Sequence, residues 1–339
     1  MTTYFSLEVS IILTLLAAAM WGSWMQISKH LNGYPISGII FLMYGFSFLL
    51  IWGITLLVAP FLLEDGIVET TLHNRGTVLT ILYGGGIMSL GLYFNLTVIG
   101  EVGLLLSTTI SGGVGIVLGL ITSIGEEGIP DKRFALPLII ITALVLLAAG
   151  FFCNKAAEMR DKELSCSEKK KGVVTGKVIF LMLLTAVLTN GWSVGTAAGT
   201  ARGFAPVLTC AYMASGSFLS VGILLGIKFT VKGEWKKILC IGTSKQPIWL
   251  SAIAAFCHYG GNLISIYSMP AISATLSFLF GRTANVWTIF WGFSTESFRA
   301  SAGGRNTCCG LEYCCILWEL RFLASISWGK KGLAKSRSW

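Results

Sequence analysis

Nine apolar stretches run along the chain, divided by short polar, glycine or proline breaks: Leu7 to Ile27, Ile36 to Leu63, Val78 to Val98, Val102 to Ile124, Leu136 to Phe152, Val178 to Thr200, Ala205 to Ile227, Ile248 to Tyr267 and Ala271 to Trp291. A hydrocarbon core of about 30 Å needs roughly 20 apolar residues per helix, so stretches of this length predict membrane-spanning helices. The predicted fold class is therefore all-α, a polytopic membrane helix bundle. The first stretch has no basic segment before it and is too long for a signal-peptide core, so it is expected to be a retained helix.

The polar breaks are unequal. The longest, Cys153 to Lys177, is too short to bury a core and reads as a charged loop between two halves, residues 1–152 and 178–292. Five helices in each half would insert the halves in opposite orientations, the inverted-repeat plan of many transporters. Faint internal similarity fits that plan. Trp21-Gly22-Ser23-Trp24 in the first stretch stands at a depth similar to Asn190-Gly191-Trp192-Ser193 in the sixth. Gly91 to Gly113 can be laid on Gly261 to Thr283 without a gap, which matches the short connection at Gly100-Glu101 with that at Pro270-Ala271 and Ser107 with Ser277.

A tenth helix is missing. After Gly292 the chain becomes basic and serine-rich, with the doublets Cys308-Cys309 and Cys314-Cys315, and no stretch of residues 293–339 reaches membrane length without a charge. This aberrant tail reads as an out-of-frame segment standing in place of the tenth helix, with a divergent but genuine tail as the alternative.

Composition agrees with lipid as the solvent. Of 339 residues 54% are hydrophobic and only 12% charged, and the mean hydropathy is +0.75, outside the range of ordinary soluble domains. The net charge of +9 does not point to nucleic acid, because of where it lies. Lys155, Arg160, Lys162, Lys169, Lys170, Lys171 and Lys177 follow the fifth stretch; Lys228, Lys232, Lys236, Lys237 and Lys245 follow the seventh. Both loops fall on one side, so the positive-inside rule predicts a cell-membrane protein with the amino terminus outside and the 153–177 loop in the cytosol.

Candidate chemistry is sparse. Nine cysteines give no disulfide framework: Cys153 and Cys166 fall in a predicted cytosolic loop, and Cys210 and Cys257 lie in spans as small apolar residues. No His/Cys spacing reads as a metal site, and nothing calls for a cofactor. Phosphate loops, zinc-protease helices and nucleophile elbows are absent, so the chain is not read as an enzyme.

What remains is a set of polar residues at bilayer depth. Arg282, midway along the ninth stretch, would be costly facing lipid. It binds a substrate oxygen or anion, holds a conformational contact, or snorkels to cap a neighbouring helix. His258 in the eighth stretch is the titratable group at depth suited to carrying a proton, with a hydrogen bond to a helix carbonyl as the plainer role. Asn95, Asn190, Asn262 and Asn285 offer paired donors and acceptors to a polar ligand, and Trp21, Trp24, Tyr93 and Trp192 offer faces for a sugar ring. Interhelical hydrogen bonding is the alternative for each asparagine.

Several motifs carry a resemblance. Met20-Trp21-Gly22-Ser23-Trp24, the glycine-rich third stretch running into Gly100-Glu101-Val102-Gly103, and Thr122-Ser123-Ile124-Gly125-Glu126-Glu127 resemble the drug/metabolite transporter superfamily. The long Lys-rich central loop, Leu279-Phe280-Gly281-Arg282 and Thr288-Ile289-Phe290-Trp291-Gly292 resemble its sugar-uptake branch of L-rhamnose-proton symporters; ureide permeases have a similar first helix. The resemblance covers Leu7 to Gly292. It implies ten helices in two inverted halves around a central cavity, and uptake of a small polar metabolite, a sugar such as L-rhamnose, by proton symport through alternating access. Its partners would be the small-molecule substrate, protons and the lipid bilayer. The alternatives are an exporter or permease for a ureide, amine or drug, a non-transporting membrane sensor, or an inactive truncated permease.

Overall fold

The computed structural model describes residues 3–25, 33–102 and 176–272, with isolated positions at 27, 31, 118, 121, 140, 141, 144, 148, 277, 280, 281, 283, 284 and 287. Nine helices and no strand occur among these residues: α1 (Leu7–Trp24), α2 (Ile36–Leu62), α3 (Gly66–His73), α4 (Arg75–Val102), α5 (Gly176–Thr189), α6 (Gly191–Ala201), α7 (Pro206–Lys232), α8 (Trp235–Ile238) and α9 (Gln246–Ile272). The protein is thus all-helical over its described residues. The predicted spans of the fourth and fifth stretches, most of the ninth, the 153–177 loop and the 293–339 tail lie outside them.

Local signals account for the helix limits. The Ser6 hydroxyl caps α1 by accepting from the Val9 N–H at 3.5 Å. Pro206 opens α7, where a missing N–H costs nothing. Gly233, at φ 64°, closes it. Its N–H donates to the Thr230 carbonyl (3.2 Å), and that of Glu234 donates to Phe229 (2.9 Å). This is a Schellman closure, and a residue with a Cβ would be strained at Gly233.

Among the described residues five segments are long and apolar enough to cross a membrane: Leu7–Trp24, Ile36–Leu62, Arg75–Val98, Phe180–Ala201 and Pro206–Lys232. α9 is as long as α2, at 27 residues, but carries buried Ser251, His258, Asn262, Ser265 and Ser268, which lower its apolarity. The distribution of side chains is that of a membrane protein. Phe61 (86% exposed), Val231 (81%) and Leu57 (74%) point outward, while Ser10, Thr14, Ser47 and Thr55 are fully buried. Buried threonines donate back to helix carbonyls, Thr14 to Ser10 at 2.8 Å and Thr55 to Ile51 at 2.7 Å, so their hydroxyls need no water.

Helices from the two ends of the chain interleave. α1 packs along α9; α2 packs on α9 and α7; α4 packs on α5, α6 and α7. Glycines let backbones touch. A Cβ on Gly85 would strike the Met213 backbone, and one on Gly216 the Leu82 carbonyl, which brings α4 and α7 into direct main-chain contact.

Three features differ from the sequence expectations. α4 continues through Gly100-Glu101 to Val102, and α9 continues through Pro270 to Ile272. Both expected connections are therefore helical at those residues. The sixth predicted span is broken at Asn190, where α5 ends and α6 begins. The 64–75 connection holds the short helix α3, whose Thr71 hydroxyl donates to Ile67 and accepts from Tyr212 of α7, both at 2.6 Å.

Candidate functional site

His258 stands near the middle of α9, where a charged or polar group is hardest to solvate, and its side chain is 8% exposed. Three aromatic rings surround it. Trp24, from the end of α1, lies 5.4 Å away between ring centroids, Tyr44 of α2 lies 5.8 Å away, and Tyr259 of α9 itself lies 5.3 Å away. Tyr44 and Tyr259 also meet edge to face at 6.2 Å, a favourable geometry for aromatic quadrupoles. The site is built where α1 and α2 both lean on α9.

Among the described residues neither ring nitrogen of His258 has a hydrogen-bond partner, and the same is true of the Tyr44 hydroxyl and the Asn262 amide nitrogen. Asn262 is four residues beyond His258, so both side chains leave α9 on one face. A buried polar atom without a partner costs on the order of 1–3 kcal/mol. Four such atoms lie on neighbouring α2 and α9 without a partner among the described residues.

Trp21 connects this region to the second half of the chain. Its indole N–H donates to the His258 carbonyl at 3.2 Å, and its ring meets Trp192 of α6 edge to face at 5.7 Å. The Trp192 indole nitrogen has no partner among the described residues. Gly261 permits the close approach, since a Cβ there would lie 2.8 Å from the Trp21 indole nitrogen. The boundary at Asn190 places Trp192 in the first turn of α6.

Of the residues singled out from sequence, Trp24, Trp21, Trp192, His258 and Asn262 are joined through these contacts and through α9. Asn190 sits at the break between α5 and α6. Asn95 is buried on α4 and Tyr93 packs at 5.7 Å against Phe94, on a helix whose Gly91 lies against Leu188 and Thr189 of α5. Arg282 and Asn285 lie outside the described residues. Tyr44 and Tyr259 were missed: each is fully buried, yet in sequence each is one aromatic in a run of apolar residues.

Tyr259 ties the site to the rest of the bundle. Its hydroxyl lies 2.7 Å from the Ser217 hydroxyl of α7, and Ser217 donates to the Gly85 carbonyl of α4 at 2.8 Å. A movement of α9 at His258 is therefore felt on two other helices.

No family model matches the sequence, and the curated proteins gave no match. The fold is similar to that of a solved protein described only as "Crystal structure of protein", with a TM-score of 0.53 and 13% identity over 95% of this chain and 99% of that one. At that identity the likeness concerns the fold alone.

Proposed function

We propose that this protein is a secondary transporter that takes up a small polar metabolite, a sugar such as L-rhamnose, by proton symport. The observation that carries the reading is His258: a buried histidine, ringed by Trp24, Tyr44 and Tyr259, with neither nitrogen partnered among the described residues. Histidine changes charge near neutral pH, and an imidazole whose nitrogens are not committed to the protein can take up and release a proton. Asn262, Trp21, Trp24 and Trp192 supply amide groups and ring faces suited to a hydroxylated solute. Asn95, Asn190, Tyr93, Arg282 and Asn285 complete the proposed substrate path.

In this reading the full bundle has two inverted halves in the cell membrane, with the amino terminus outside. The edge-to-face contact of Trp21 with Trp192 supports the repeat, because it joins the two motifs that correspond between the halves. Alternating access would rock one half against the other across the interface at which α1, α2 and α4 meet α5, α6, α7 and α9.

Uptake into proteoliposomes from a panel of sugars, ureides and amines, with an inward proton gradient, tests the reading. Accumulation of a sugar above equilibrium supports it. Binding without accumulation would identify a sensor, and accumulation of an amine or ureide alone would move the protein to another substrate class.

A further inference from the structure

A second feature lies on the outer face of the bundle, away from His258. α7 and α2 enclose a groove of about 640 Å³. Its lining runs along α7 past Leu219, Gly222, Gly226 and Val231, with Phe41 of α2 and Trp235 of α8 beside it. A Cβ on Gly226 would meet nothing within 4 Å, so these glycines are not explained by a neighbouring helix. The aromatic rings pack on one another. Phe41 meets Trp235 at 5.5 Å and Phe218 at 6.2 Å.

The groove offers carbon and little else. Its polar groups are already used within the protein: the Trp235 N–H donates to the Thr230 hydroxyl at 3.0 Å, and Thr230 donates to the Gly226 carbonyl at 2.8 Å. A sugar or an ion would find no partner there. From Leu219 to Val231 the groove follows twelve residues of α7, about 18 Å at 1.5 Å per residue. Half of a hydrocarbon core is about 15 Å, so the length suits one leaflet.

The charge at one end is equally specific. Lys232 follows Val231, Lys236 follows Trp235, and Lys228 and Lys237 stand on the same two helices, α7 and α8. Glu234 is the only acidic residue between positions 203 and 245. Lys245 is spent on the carbonyls of Leu239 and Cys240, at 3.3 and 2.8 Å. An apolar slot one leaflet long, ending in a cluster of lysines, matches a lipid with a negative headgroup.

We infer that this groove is a binding site for an anionic phospholipid, with an acyl chain between Phe41, Phe218 and Gly226 and the phosphate held by Lys232 and Lys236. The inference is independent of the transport reading and stands whatever solute the protein carries. It can be tested on the purified full-length protein by native mass spectrometry, with phosphatidylglycerol and phosphatidylcholine of identical chains supplied together. The wild type should retain phosphatidylglycerol preferentially, by about fivefold for each lysine engaged. Lys232→Gln with Lys236→Gln should bring retention down to that of phosphatidylcholine, and Gly226→Leu, which fills the groove without striking protein, should lower retention of both lipids. Equal retention by the wild type, or preference unchanged in both variants, would overturn the site. So would a wild-type dimer that Gly226→Leu converts to monomer, because the groove would then hold a second copy of the chain.

Discussion

The Tyr259 hydroxyl donates to Ser217 across 2.7 Å, and the direction follows from what Ser217 does next. The serine proton is committed to the Gly85 carbonyl at 2.8 Å, an oxygen that can only accept. Its remaining lone pairs must therefore receive the tyrosine proton. One relay crosses α9, α7 and α4, all of it buried, and it lies one residue along from His258.

Ser217→Ala removes the centre of that relay and leaves the buried Tyr259 hydroxyl unpaired, while the Gly85 carbonyl keeps its backbone bond within α4. It should cost on the order of 1–3 kcal/mol, whereas Tyr259→Phe, which leaves Ser217 bonded to Gly85, should cost about 1 kcal/mol. Thermal unfolding in detergent, with both variants compared in one buffer, checks the order. A Tyr259→Phe variant weaker than Ser217→Ala would show that the relay runs otherwise.

Gly216→Leu should prevent folding, because its side chain would enter the space of the Leu82 carbonyl on α4. Gly53→Leu, at a position where a Cβ meets nothing within 4 Å, should leave the protein monodisperse. Size-exclusion profiles of the two variants test whether α4 and α7 pack through their main chains.

Tyr34 offers a pH signature outside the membrane spans. Its hydroxyl donates to the Ile238 carbonyl at 2.7 Å. Burial, with the Cys240 thiol adding to it, pushes the phenol well above its ordinary range. Folding thus favours the protonated form. The stability this contributes is complete below the ordinary tyrosine value of about 10 and is lost progressively as the pH rises above it. Tyr34→Phe should lower stability by about 1 kcal/mol at neutral pH and flatten part of the loss above pH 10, measured by unfolding across an alkaline series.

Much of the fold was legible in the sequence. α1, α2 and α7 begin where apolar runs begin, because Ser6, Pro35 and Pro206 mark the starts and each run is uniformly apolar. The break at Asn190 was not legible, since asparagine and glycine occur within membrane helices as readily as between them. Gly100-Glu101 misled for the opposite reason: a glycine and a charge suggest a turn, but helix hydrogen bonding carries on past them to Val102. At the site, His258 and Asn262 announced themselves as polar residues in an apolar segment, four apart. Tyr44 did not. Its proximity to His258 depends on α2 packing against α9, more than two hundred residues later, and nothing in the local pattern of α2 distinguishes it from its apolar neighbours.

Arg282 carries a prediction drawn from sequence. If its guanidinium holds substrate, Arg282→Lys should reduce transport far more than expression, because lysine lacks the planar fork of donors. Equal transport at equal expression would reduce its role to snorkelling.

His258→Gln is the most direct test of the proposed mechanism. Glutamine keeps a polar side chain among Trp24, Tyr44 and Tyr259 but cannot carry a proton. In proteoliposomes loaded with sugar, the variant should still exchange labelled for unlabelled substrate, while a proton gradient that drives accumulation by the wild type should drive none. Accumulation by His258→Gln equal to the wild type would contradict proton coupling through this residue.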